Sequence, residues 1–301
     1  MDDVTGKGTS RKETSRGYLY ALGGAVCGGS VTTLTKLLLV SNGPVVINGL
    51  TYSLSGLLLL FYRPKLRPAR QSLPYLLFLG LVGAAISPLM YTYGLSQTTA
   101  VNAALLANGE VLFTTLIAFS VFGERLERSQ GMRGLLIVAG LLTVSTNLDI
   151  GHVSLLQGLL GNALILGSTV GWAIENNLIV LATKKFEVTS LSKFRNLIGG
   201  AVVLALALLA GYSFNFSPYD VAVLLLLALA VTGATLLFIS ALKRLGAIRM
   251  LLVWSTSTVF GAFFALVFLG EQITPVQIAG GAMILTGVVL FRRGEKPMFV
   301  P

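Results

Sequence analysis

Three ionisable side chains fall inside apolar stretches of this chain: Lys36, Glu110 and Glu175. A charge at bilayer depth costs at least ~2.5–3.5 kcal/mol on insertion scales, so each needs a physical reason to be there. Glu110 lies halfway along its stretch, two residues after Asn108, on a helical face shared with Asn102, Leu106, Phe113 and Ile117 that should turn inward. Glu175 shares a face with Ser168, Gly171 and Trp172 and is followed by Asn176 and Asn177. An enclosed carboxyl can exchange protons in the physiological range, hold a cation, or do both in turn. The competing reading is structural: a permanent ion pair with Lys36, or a carboxylate satisfied by the amides of Asn176 or Asn177. Lys36 is nearer the outer end of its stretch, where its long stem could reach inward or snorkel outward.

Other residues suit the lining of a polar cavity. Trp254-Ser255-Thr256-Ser257-Thr258 is a polar run at the depth of Asn108 and Glu110; such hydroxyls either line a cavity or bond their own backbone. Trp172 can stack on a cation or an aromatic ring, or fill a gap between helices. Ser87-Pro88 should kink its helix, with Tyr91 and Tyr93 beyond, and Gly28-Gly29-Ser30 permits close backbone approach. The candidates for substrate or proton binding are therefore Glu110, Glu175, Asn108, Trp172, Asn176, Lys36, Tyr91, Trp254 and Ser257. Cys27 is the single cysteine and His152 the single histidine, so neither a disulfide nor a Cys/His metal cluster is available. With no HExxH, Walker loop or Ser/His/Asp arrangement, we expect no cofactor, no metal and no enzyme activity.

The elements that position these residues are membrane helices. Apolar residues make up 54% of the chain and charged ones 11%, too few charges to cover a soluble domain of this size. Runs of spanning length occur near 17–40, 45–62, 72–96, 99–122, 131–147, 156–182, 190–211, 218–241, 246–269 and 275–292, which predicts an all-α membrane protein of ten transmembrane helices. The polar tail 1–16 is no signal peptide and reads as disordered. Of 22 basic residues, 21 fall in or beside connections on one side, Lys193 and Arg195 among them, and only Lys36 within a span. Basic loops stay cytoplasmic, so both termini should be inside, in the cell membrane. The net charge of +10 therefore reports topology and not nucleic-acid binding.

The stretch 94–140 recurs 147 positions later at 241–287 without a gap: Leu95, Ala100, Phe113, Gly123, Glu124, Gln130 and Gly134 return as Leu242, Ala247, Phe260, Gly270, Glu271, Gln277 and Gly281. Five spans per half is an odd number, so the second copy should enter the membrane upside down. This gives two inverted repeats, 17–147 and 156–293, and such repeats place a substrate site near midplane between the halves. Glu124 and Glu271 match each other at the water interface and read as hairpin caps at helix N-termini. Glu110 has no acidic counterpart; Ser257 occupies the matching position.

Phe122-Gly123-Glu124-Arg125 with Gln130 and Gly134, and Phe268-Leu269-Gly270-Glu271 with Gln277 and Gly281, resemble the EamA family of the drug/metabolite transporter superfamily. The resemblance covers residues 17 to 292 and implies a ten-helix transporter with a central cavity lined mainly by helices 1, 3 and 4 with 6, 8 and 9. Asn108-Gly109-Glu110 stands where many relatives carry proline, and Glu175-Asn176-Asn177-Leu178 resembles a bacterial and archaeal subgroup with an acid in helix 4. Ile179, Val180 and Leu181 replace the basic residues that often follow there, so no role of those residues carries over.

The expected function is a secondary transporter, an exporter of small metabolites or amphipathic and cationic compounds, working by alternating access with Glu110 as the candidate proton site. The alternatives are a proton-independent uniporter or exchanger, and a lipid-precursor flippase or accessory membrane subunit. Expected partners are a small-molecule substrate, the lipid bilayer and protons; monomer and homodimer both stay open.

Overall fold

A computed structural model describes residues 11–61, 73–122, 128–146, 155–182 and 186–292, and the regular elements among them are all helical. In chain order these are α1 (Arg11–Leu38), α2 (Pro44–Leu58), α3 (Leu73–Leu81), α4 (Ser87–Ser96), α5 (Ala100–Leu106), α6 (Gly109–Phe122), α7 (Arg128–Thr146), α8 (Leu155–Ala182), α9 (Val188–Leu209), α10 (Pro218–Trp254), α11 (Ser257–Phe264) and α12 (Pro275–Arg292). A π-helical turn, Val82–Ile86, joins α3 to α4, and a second, Ala265–Leu269, extends α11. Leu73–Ser96, Ala100–Val121, Val188–Leu209 and Pro218–Gly246 are long and apolar enough to cross a bilayer, and four shorter apolar helices accompany them. This is a multi-pass membrane protein.

Local chemistry sets the helix ends. Thr99 caps α5 by accepting from the Asn102 amide at 3.1 Å. Ser217 and Asp220 form a reciprocal capping box ahead of α10, with Pro218 at its first helical position. Gly246 interrupts α10 with a φ of 74° and Gly270 ends the second π turn with a φ of 65°, a conformation that costs glycine least. Two expectations change here. Arg11 to Arg16 belong to α1, so the end of the tail is helical. The expected boundary between spans 8 and 9 is also absent as a loop, since α10 runs through the Gly246 bend to Trp254.

Helix pairing follows small residues, which let backbones approach where lipid supplies no hydrophobic drive. A Cβ on Gly29 would meet Gly261 and Ser257 of α11 at 2.8 Å; one on Gly140 of α7 would meet the Gly280 carbonyl of α12 at 2.8 Å. Gly49 and Gly56 of α2 press on Leu204 and Leu197 of α9 in the same way. The main packing pairs are α1 with α10 and α11, α8 with α4 and α6, α2 with α9, and α7 with α12. Exchanging each helix for the one about 147 residues away maps these pairs onto one another.

Candidate functional site

Two breaks in helical continuity fall at matched positions of the repeat. Ala107 and Asn108 separate α5 from α6, and Ser255 and Thr256 separate α10 from α11. Asn108 and Ser255 are matched positions of the repeated stretch. The breaks are tied to each other: Asn108 Nδ2 donates to Thr258 Oγ1 at 2.5 Å, and Thr258 Oγ1 donates to the Ala104 carbonyl at 3.0 Å.

Glu110 lies in the first turn of α6, just past one break. It is 9% exposed, and its Oε1 accepts from Asn176 Nδ2 at 2.5 Å. Asn177, one residue on, donates to the Thr114 carbonyl at 3.1 Å, so the paired asparagines clip α8 onto α6 and hold the Glu110 carboxyl in place. Among the described residues no basic group comes within ion-pair distance of Glu110.

Glu175 is in a different situation. Arg195 of α9 pairs with it in a bidentate fork, Nε to Oε1 and Nη2 to Oε2, the latter at 2.9 Å. Glu175 is 2% and Arg195 7% exposed. Desolvating two charges is costly, and the arrangement holds because two of the three remaining N–H groups are also satisfied. Arg195 Nη1 donates to Asn196 Oδ1 at 2.8 Å and Nη2 to the Gly83 carbonyl at 2.7 Å.

Why Gly83 has a carbonyl to offer follows from Pro88. In the π turn the Ser87 amide reaches back five residues to the Val82 carbonyl. The next residue, Pro88, has no N–H. The Gly83 carbonyl is thus left without a helical donor and is taken by Arg195 and by Trp172 Nε1 at 3.2 Å. Glycine is required at 83, since a Cβ there would collide with the Glu175 carboxylate. The kink expected at Ser87-Pro88 is therefore a π turn that supplies an acceptor to the ion pair.

Around these groups lies a cavity of about 180 Å3. Glu110, Glu175, Asn176, Trp172, Tyr91, Trp254 and Ser257 all line it, together with Arg195. Tyr91 and Trp172 form one wall, ring centroids 5.5 Å apart, with the Tyr91 hydroxyl 2.7 Å from Thr32 Oγ1. Trp254 and Phe238 meet edge to face at 4.8 Å on another. The matched positions 110 and 257 thus face one cavity, one with an acid and the other with a hydroxyl. Helix 2 also contributes, through Asn48, Thr51 and Tyr52, which adds to the helices the resemblance implies.

Residues 15–146 and 159–293 match the EamA-like transporter family. The chain belongs to that family. A curated relative, an uncharacterized transporter of Methanothermobacter thermautotrophicus (strain Delta H), is 28% identical over 301 residues, spanning 93% of this chain and 87% of its own. A solved crystal structure shares the fold with a TM-score of 0.66 at 16% identity, over 94% of this chain and 99% of that one. This EamA-like protein is a membrane transporter rather than an enzyme.

Two candidates of the transporter stand outside the cavity lining. Asn108 is buried between the two breaks as a structural clip. Lys36 pairs with neither acid of the cavity; its Nζ donates to the Leu95 and Thr98 carbonyls at 2.7 and 2.6 Å, at the C-terminal end of α4. Asn102 is also drawn away, accepting from Gln277 Nε2 at 2.7 Å, because the break interrupts the stripe it shares with Glu110. Glu271 is a cap, but not of its own hairpin: it accepts from the Ala100 and Val101 amides at 2.8 and 3.0 Å, at the start of α5 in the other half. Glu124 and His152 lie outside the described residues.

Arg195 and Lys193, counted as flanks of a cytoplasmic connection, are buried within α9. The missed signal is periodic: Ser192, Arg195, Asn196, Gly199 and Gly200 recur at i, i+3, i+4, i+7 and i+8, one helical face. A Cβ on Gly200 would clash with Ser53 and one on Gly199 with Ala84, so that face is interior, and it carries Arg195 with it.

Proposed function

We propose that this protein is a secondary transporter that exports small cationic or amphipathic metabolites by alternating access. In this reading 17–147 and 156–293 are two five-helix units of opposite orientation, each terminus lies in the cytoplasm, and the units rock about the cavity between them. The observation that carries it is the Glu110 carboxyl, without a basic partner among the described residues and facing a cavity built from both halves. Glu110 takes a proton when the cavity is empty and gives it up to admit a cation. Glu175 is a fixed member of an ion pair, not a second proton site.

A proton-independent exchanger draws support from the Asn176 amide, which fixes one Glu110 oxygen as a recognition group would be fixed. A cavity of about 180 Å3 argues against lipid-linked precursors, since one of about 150 Å3 holds a benzene molecule. The test is a thermal-shift screen across metabolite classes, followed by flux of the selected ligand into liposomes that enclose a pH dye. Ligand-dependent pH change is expected; flux that proceeds with no pH change and no pH dependence would remove the proton from the cycle.

A further inference from the structure

The charge inventory of the cavity narrows the substrate further than its volume does. Among the lining residues, Glu110, Glu175 and Arg195 are the ones with an acidic or basic side chain, tyrosines aside. Arg195 is already matched by Glu175, and four of its five N–H groups are taken by Glu175, Gly83 and Asn196. Lys36, the basic residue expected within a span, is engaged by the Leu95 and Thr98 carbonyls and is absent from the lining of this cavity. One carboxylate, Glu110, is therefore left to be matched by a ligand, and no cation of the lining is left to match a ligand carboxylate. A zwitterion would have to prise Arg195 from Glu175 or bury its own carboxylate unpaired, either of which is expensive.

The walls say what the rest of the ligand is. Trp172 lies one helical turn before Asn176, the residue that holds Glu110, and its ring is fixed by the Nε1 bond to Gly83 and the contact with Tyr91. Trp172 and Glu110 line the same cavity, so a flat apolar group can stack on the ring while an ammonium attached to it meets the carboxyl. Resting on the transport reading above, we infer that the substrate is a small monocationic amine with one flat or aromatic group and no carboxylate, so the protein prefers an amine over the parent amino acid.

The chain's two tryptophans, Trp172 and Trp254, both line the cavity, so intrinsic fluorescence reports its occupancy directly. Purified full-length protein is titrated with phenethylamine, phenylalanine and 3-phenylpropionate, and the same three compounds are assayed for flux in liposomes. Phenethylamine should bind at least about tenfold more tightly than phenylalanine, with 3-phenylpropionate weakest. Glu110→Gln should abolish the preference, and Glu110→Asp, with the charge kept, should retain part of it. Phenylalanine binding as tightly as phenethylamine, or better, overturns the inference whether or not transport occurs. A tenfold preference in binding with no flux of any compound upholds the inference and removes the transport reading instead.

Discussion

The two broken helices have the same build and opposite chemistry. α5–α6 and the end of α10 with α11 interrupt at matched positions, and hydrogen bonds join the two interruptions through Asn108 and Thr258. On the first side the next turn presents Glu110, clipped by Asn176; on the second it presents Ser257. The same scaffold thus lines one cavity with an acid from one copy and a hydroxyl from the other. A duplicated frame provides the cavity, and in the function proposed above the one asymmetric carboxyl, Glu110, selects what enters it.

The largest predicted effect tests whether the other buried acid is scaffold. Arg195→Met leaves Glu175 buried without its partner and should destabilise the protein by about 3–5 kcal/mol. Replacing both, with Glu175→Met added, should recover most of that loss in thermal unfolding in detergent. A double variant as unstable as the single one would show that the ion pair does more than hold α8, α9 and the π turn together. Gly83→Ala should resemble the single variant, because its Cβ takes the space of the Glu175 carboxylate.

Smaller effects probe the joints between the halves. Glu271→Ala removes two charge-assisted bonds to the α5 amides and should cost about 1.5–3 kcal/mol, read as faster amide exchange at Ala100 and Val101. Unchanged exchange there would mean that water replaces the cap at no cost. A double-mutant cycle on Asn108→Ala and Thr258→Val should give a coupling of about 0.5–1.5 kcal/mol across the breaks; zero coupling would leave the breaks independent. Ser257→Ala is the mildest change, shifting ligand affinity no more than about threefold. A tenfold loss at Ser257 would mean the hydroxyl side contributes as much as the acid side, and the asymmetry drawn above would fail.

Much of this was readable from residue types alone. The membrane class follows from composition, and Glu110, Glu175, Trp172, Asn176, Tyr91, Trp254 and Ser257 all line the cavity, whereas Asn102, Leu106, Phe113 and Ile117, expected on the face of Glu110, do not. Arg195 was hidden because loop-side charge counting assigns a basic residue near a helix start to the connection, whereas the glycines that follow it on the same face turn it inward. Glu271 illustrates the second limit. A carboxylate beside a turn signals a cap, but sequence proximity cannot say whose helix it caps when the partner lies 171 residues away. The π turn is a third case: proline announces a kink, yet which carbonyl it frees depends on the register the helix adopts.

The most direct test places Glu110→Gln in liposomes whose lumen is more acidic than the bath and follows accumulation of the ligand selected by thermal shift. Exchange of cation for proton predicts accumulation in the acidic lumen for the unaltered protein and for Ser257→Ala, and none above protein-free vesicles for Glu110→Gln. Gradient-driven accumulation that survives in Glu110→Gln, in protein that still melts like the parent, would contradict the assignment of the coupling site to this carboxyl.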